Sequence, residues 1–567
     1  MVAISPILRK FVLPAALLLA GALACAQVSA AKAPERLPNE TLTEPILYEL
    51  LVGEIAAQRG DLELAAKTYI DLAKRTRDPR IARRAVEIAN FARMPQLALE
   101  AAKLWHEAEP DSAPALQMVT VYLAAVRRVD EAEPYLKKLL SSGETKPENV
   151  FMQINRLLAA NPDKAANLRL VRKLAAGYPN LPNARFAVAQ AAMAADDEQL
   201  ALREIRRAAE LRPDWAVAAE FEAQILQTKS PAEAAKRLAR YLEEYPAQND
   251  VRMSYARLLV SEKRYAEARL QFEKLQAANP DSTEVIYAVG LLAFQLKDYA
   301  MAEESMKRLL ALDYRDPDGA RYILGQIEEA QKRWPQAIAW YQQIQSGDNF
   351  LPSRLRVAQA MVQEGKLDAA RAYLHAVKVT GKQDEVQLVI AEAQLLRDAH
   401  DAAGAFALLG RALEKSPDQP ELLYDQALTA EKLGRYDVLE QSLRKVIKLQ
   451  PDHAHAYNAL GYSFADRNMR LPEARKLIEK ALQLRPDDSF IIDSMGWVLY
   501  RQGDLAEAET YLRRAYGDQH DAEIGAHLGE VLWVEGKREE ARRFWSEALK
   551  NNPENETLRK TVGRFNP

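Results

Sequence analysis

The stretch Asp493-Ser-Met-Gly-Trp-Val-Leu-Tyr500 decides how the rest of the chain is read. Gly496 is followed twelve positions on by Ala508, and four further on by Leu512. Gly529, Ala541 and Trp545 repeat that spacing, and Gly461, Ala474 and Ile478 repeat it with one extra residue. A small residue on each of two consecutive helices lets them cross closely, so the spacing predicts a helix-turn-helix hairpin. In a unit of about 34 residues the small residues take positions 8 and 20, and larger ones at 24 and 27 are expected to fill the groove against the next hairpin.

Prolines give a second, independent register. Pro110, Pro179, Pro213, Pro246, Pro280, Pro417, Pro451, Pro486 and Pro553 each follow a predicted second helix, and single steps between neighbours are 33, 34 or 35 residues. Proline lacks an N–H and disfavours the α region for the residue before it, so it stops a helix there. The span from Pro110 to Pro553 divides into thirteen such units of about 34 residues, and one unit before Pro110 makes about 14. Gly53, Ala65 and Tyr69 begin the series, and Ala98, Trp105 and Pro110 follow. This pattern resembles the tetratricopeptide repeat, and the resemblance implies an all-α superhelix, an α-solenoid stabilised by stacking of neighbouring hairpins.

Composition agrees with such an array. Ala, Leu, Glu, Arg and Lys dominate, charged residues make up 28%, and glycine is held to 22 of 567 residues. These are helix formers. The net charge of −3 comes from 77 basic and 80 acidic residues, interspersed along helical faces, so no extended positive field exists for nucleic acid. Cys25 is the only cysteine, which excludes an internal disulfide or a cysteine metal cluster.

Residues 1–31 read as a secretory signal: Arg9 and Lys10, an apolar core from Phe11 to Ala26, then small residues. That run falls short of the ~20 residues that span a bilayer as a helix. Two processing readings stay open. Val28-Ser29-Ala30 fits ordinary cleavage, which releases a periplasmic protein, whereas Ala22-Leu23-Ala24-Cys25 is similar to a lipobox with its leucine one place off register. Lipidation of Cys25 would tether the protein to the outer membrane, and that lipid would be its only membrane contact. Residues 32–43, with Pro34 and Pro38, are a linker. An N-terminal array is expected over 44–280, a middle one over 281–416 and a C-terminal one over 417–553, with a capping helix and tail over 554–567. Residues 141–180 and 346–416 keep helical periodicity but lose the small-residue pattern, so they are either degenerate repeats or an interruption.

No catalytic motif is present: no Gly-x-Ser-x-Gly, no phosphate-binding glycine loop, no His-Glu-x-x-His. His453 and His455 begin a helix, where residues two apart face different directions, so a capping or surface role is expected rather than metal binding. No cofactor or metal is predicted. In tetratricopeptide arrays, positions 2, 5, 9, 12 and 13 of the first helix line the concave groove. Carried onto this chain, they are His455, Asn458, Tyr462 and Asp466; Phe490, Asp493, Trp497, Tyr500 and Arg501; and Glu523, Glu530 and Trp533. Tyr462, Trp497, Tyr500 and Trp533 are thereby predicted to form an aromatic stripe for a partner, although each tryptophan also fits the core between repeats.

Tyr457-Asn-Ala-Leu-Gly-Tyr462 with Ala465-Asp-Arg467, then Asp493 to Arg501, then His527-Leu-Gly-Glu-Val-Leu-Trp533 resemble the C-terminal repeats of proteobacterial outer-membrane tetratricopeptide lipoproteins. One of these is the adaptor of a periplasmic carboxyl-terminal processing protease. The resemblance implies a non-catalytic envelope scaffold that recruits such a protease and its substrates. A scaffold for assembling envelope polysaccharide or the outer membrane is the alternative.

Overall fold

The computed structural model describes residues 42–143, 145–517 and 520–565. The signal segment with Cys25 and nearly all of the linker lie outside them. The described residues form 31 α-helices and no strand. Thirty of the helices pair into fifteen hairpins over 44–76, 79–108, 113–141, 147–175, 182–211, 216–244, 249–278, 283–311, 317–342, 350–376, 382–415, 420–449, 454–484, 489–516 and 522–551. The last helix, Glu556–Phe565, stands alone against the first helix of the final hairpin. Among the described residues no helix is long and apolar enough to cross a membrane.

The chain divides into two compact units, one up to Ser305 and one from Met306, with the division inside helix Tyr299–Ala311. In the first, overlapping apolar clusters run from Ala56 to Leu292. In the second, small clusters around Tyr341 and Leu374 precede a large one from Val386 to Leu558.

Local chemistry accounts for the hairpins. Eight residues preceding the punctuating prolines, among them Glu109, Gln450 and Arg485, share φ between −124° and −144° and ψ between 65° and 86°. Proline thus ends each of these eight second helices by forcing its predecessor out of the α region. Thirteen of the fifteen hairpins turn between their helices through a residue of positive φ, a glycine in five of them, and hairpin 454–484 uses two, Asn468 and Arg470. Asp61, Asp197, Asp401 and Asp504 then cap the second helix by accepting a backbone N–H.

Fifteen hairpins stand where proline spacing counts fourteen. The first ends at Arg77, in the left-handed region, and Asp78-Pro79 opens the next helix only 31 residues before Pro110, so the proline register misses it. The large residue at position 24 also serves differently from expectation. It packs on the position-8 glycine of its own hairpin: Tyr69 on Gly53, Tyr341 on Gly325, Ile478 on Gly461, Leu512 on Gly496 and Trp545 on Gly529.

The two weakly patterned regions are helical hairpins as well. Pro147–Leu157 packs more on Pro182–Ala194 of the next hairpin than on its own partner, Lys164–Ala175. The turn between that pair is held by amides instead of small residues: buried Asn161 donates to Asn167 Oδ1 (2.8 Å), and Asn167 donates to Leu158 O (3.0 Å). Between 350–376 and 382–415 the chain runs through the non-helical residues 377–381, with Val377 and Gly381 extended.

Candidate partner-binding site

The first helices of the last three hairpins, Ala454–Asp466, Ser489–Gln502 and Ala522–Val534, carry the predicted site residues. Their side chains converge. Tyr462 reaches past the middle helix to His527 of the last one, Oη to Nε2 3.5 Å. Contact between hairpins two apart requires that these faces turn toward one another, which places the cluster on the concave side of this stretch.

His527 is the centre of the cluster. Its Nδ1 lies 3.0 Å from both carboxylate oxygens of Asp493, and both side chains are buried. The Trp497 ring stacks on the imidazole at 4.1 Å between centroids and 22° between planes. Burial opposes protonation of His527, but the Asp493 charge and its hydrogen bond outweigh it, so the imidazole titrates above the ordinary histidine value. Burial, with the charges of Asp466, Asp493, Glu523 and Glu431, pushes the Tyr462 hydroxyl well up.

A second set closes the C-terminal end. Tyr500 Oη donates to Glu530 Oε1 at 3.1 Å, and Arg564 of the terminal helix donates to Glu530 Oε2. Burial and the Glu530 charge push the Tyr500 hydroxyl up to about 12. Trp533 belongs to a separate stack, 5.7 Å from Trp545 and 6.5 Å from Phe565, with the Arg538 and Arg542 guanidinium groups each 5.3 Å from its ring.

The structure thus brings together Tyr462, Asp493, Trp497, Tyr500 and Glu530, and leaves Trp533 out of the expected stripe. Trp497 is only 5% exposed and takes the core place among the two foreseen for it. Arg501 donates from Nε to Ala465 O at 3.1 Å and also to Asp466 O, capping the preceding first helix. His455 turns toward Asp488, 3.8 Å away, while His453 Nδ1 accepts the Ala456 N–H at 3.1 Å as a helix cap. The Asp466 side chain and Phe490, 54% exposed, face solvent. Two polar atoms are buried without a partner, Trp497 Nε1 in the cluster and Asn458 Oδ1 one turn before Tyr462.

Profiles described as tetratricopeptide repeat match residues 226–292, 287–352, 424–489 and 494–556. A TPR repeat-containing protein of Pseudomonas aeruginosa is 34% identical over 492 residues, covering 86% of this chain and 83% of its own. The chain belongs to the tetratricopeptide-repeat family. Repeats of this family are protein-binding scaffolds. A human protein O-mannosyl-transferase is 27% identical over 217 residues, 36% of this tetratricopeptide-repeat chain and 24% of that protein. A solved thermophilic tetratricopeptide-repeat protein of Thermus thermophilus is 24% identical, with a TM-score of 0.30, covering 32% of this chain and 98% of that one.

Reading the tetratricopeptide repeat from sequence finds the faces but misses His527 as their junction. The signal was a histidine and a carboxylate, Asp493 and His527, one repeat apart on neighbouring first helices. Arg564 escaped as well, because it lies beyond the last repeat.

Proposed function

We propose that this protein is a non-catalytic adaptor of the bacterial cell envelope that recruits a carboxyl-terminal processing protease and its substrates. The observation that carries the reading is the convergence of Tyr462, Asp493, Trp497 and His527. The three sequence blocks that resemble the lipoprotein adaptors are the blocks whose side chains build this one face. The fifteen hairpins and the terminal helix account for nearly all described residues, so catalysis is assigned to the partner. Holding protease and substrate on one scaffold raises their effective concentration for each other. The apolar run from Phe11 to Ala26 supports export to the periplasm, with or without a lipid on Cys25.

The test is affinity capture from envelope extract with the mature chain. The protease is expected among the captured proteins by mass spectrometry. Phe490→Ala, at an exposed position that the family pattern assigns to the groove, is expected to weaken capture about tenfold, as loss of an aromatic anchor does, with unchanged circular dichroism. Wild-type capture that returns other envelope complexes and no protease overturns the adaptor reading. The mass of the mature N-terminal peptide decides whether Cys25 carries lipid.

A further inference from the structure

The two ends of the array are finished differently. At the C-terminal end, helix Glu556–Phe565 buries Leu558 and turns Glu556, Arg559 and Lys560 to solvent. That is the polar outer face a terminal repeat needs to stay soluble. At the N-terminal end, helix Glu44–Arg59 buries Gly53 and Ala56 and packs chiefly on Leu62–Thr76 of its own hairpin. Its opposite side is open: Leu47 is 45% exposed, Tyr48 67%, Leu51 53% and Ile55 47%. Leu51 lies three or four residues from each of the other three, so the four share one helical face.

Charge does not interrupt that face. Glu49 is bound by Arg75, and Glu54 accepts from Arg84 Nε at 3.0 Å and from Tyr69 Oη at 2.6 Å, all within the first two hairpins. Glu44 in the first turn and Arg59 in the last are exposed and form no ion pair among the described residues. They extend the apolar row, Glu44 four residues before Tyr48 and Arg59 four after Ile55. The row therefore reads acid, apolar, base. Its complement is the same row running the other way: an antiparallel copy centred near Leu51 sets Tyr48 against Ile55 and Glu44 against Arg59. Within one copy Glu44 and Arg59 stand about 22 Å apart along the helix and cannot pair.

The area agrees with a pair of copies. Leu42, 62% exposed, adds to the four helix residues, and together they show roughly 500 Å² of apolar surface, at the upper end for a patch on a monomer. A two-fold pair covers roughly 1,000 Å², the lower bound of a specific interface. We infer that the outer face of helix Glu44–Arg59 docks a second copy of this chain, in an antiparallel two-fold contact that closes the N-terminal end of the array. Pairing doubles the binding faces carried by one particle, which strengthens capture of a partner that also presents more than one site.

The test is sedimentation velocity on the mature chain across a concentration series, without lipid or detergent. A monomer–dimer equilibrium in the micromolar range is expected, as befits the smallest specific interfaces. Leu51→Glu, on an exposed side chain beside the two-fold axis, sets two like charges against each other and is expected to weaken the dimer at least about tenfold, with unchanged circular dichroism. Glu44→Lys and Arg59→Glu are each expected to weaken it about threefold to tenfold, since either change acts twice in the dimer. The two together are expected to restore it, a reversal that contact between copies alone produces. A chain that stays monomeric at every concentration, a dimer indifferent to Leu51→Glu, or a double variant no better than the single ones overturns the inference. In a monomer, binding to phosphatidylethanolamine–phosphatidylglycerol vesicles that Leu51→Glu abolishes gives the face to a bilayer instead, and faster amide exchange in helix Glu44–Arg59 after removal of residues 32–41 gives it to the linker. Protease capture by a monomeric chain removes this contact and leaves the adaptor reading; a dimer that captures no protease does the reverse.

Discussion

A methyl group at Gly496 would lie 2.6 Å from Leu512 Cγ and 3.1 Å from the Ala508 carbonyl oxygen, and one at Gly529 would lie 2.1 Å from Trp545 Nε1. Alanine in mid-helix ordinarily gains roughly 0.5–1 kcal/mol over glycine. Overpacking of a tight crossing costs about 1–3 kcal/mol, so the clash wins. Gly496→Ala is therefore expected to destabilise hairpin 489–516, read as faster amide hydrogen exchange there, and stabilisation would show that the two helices separate freely. Crossings of this kind are legible in sequence because both partners lie within one hairpin at fixed spacing. The Asp493–His527 pair was harder to see, because its partners belong to different hairpins. Its pH behaviour follows from the raised histidine value. The unfolded side chain titrates near ~6.5, so the pair's contribution is complete below that and is lost as pH rises through the higher folded value. His527→Gln leaves Asp493 buried without its cation and is expected to cost about 3–5 kcal/mol at the acidic end. The difference in denaturant midpoint between wild type and variant should narrow as pH rises; a gap that widens would mean that the pair is not ionic.

At the scale of elements, hairpins differ in what joins them. The hairpins that follow the small-residue pattern use a glycine or alanine crossing, and there the sequence was transparent. In 147–175 the crossing is replaced by Asn161 and Asn167, whose side chains hold the turn through hydrogen bonds that no apolar periodicity reveals. Further on, Glu392 is buried on helix Lys382–Asp398 and takes Arg371 Nε at 2.9 Å and His375 Nε2 at 2.7 Å from helix Leu367–Ala376. An ionic contact supplies part of a joint whose apolar cluster is small. Lys378 stands exposed in the non-helical connection beside it. Limited trypsin digestion is expected to cut after Lys378 before it cuts within 386–558, with the nick located by fragment mass. First cleavage inside the C-terminal hairpins would contradict this order of local stability.

For the molecule as a whole, stability is a sum over hairpins and their interfaces, so a single cooperative transition is not expected. Urea titration followed by circular dichroism should show more than one step, and amides within 386–558, in the larger continuous core of the second unit, should be the last of that unit to exchange. A single sharp transition with coincident probes would argue for one cooperative body. The prolines of the register follow nine of the fifteen second helices, because pre-proline geometry is local, and their spacing missed the first hairpin because Pro79 starts a helix there instead of ending one. The C-terminal cluster also has an optical consequence. Protonated imidazole quenches indole fluorescence on contact, and Trp497 lies flat on His527, whereas Trp533 and Trp545 stack on each other beside Phe565. Of the seven tryptophans, Trp497 is thus dark while its histidine is charged and brightens as the proton leaves or the last two hairpins part, which gives the docking face a label already written into the chain.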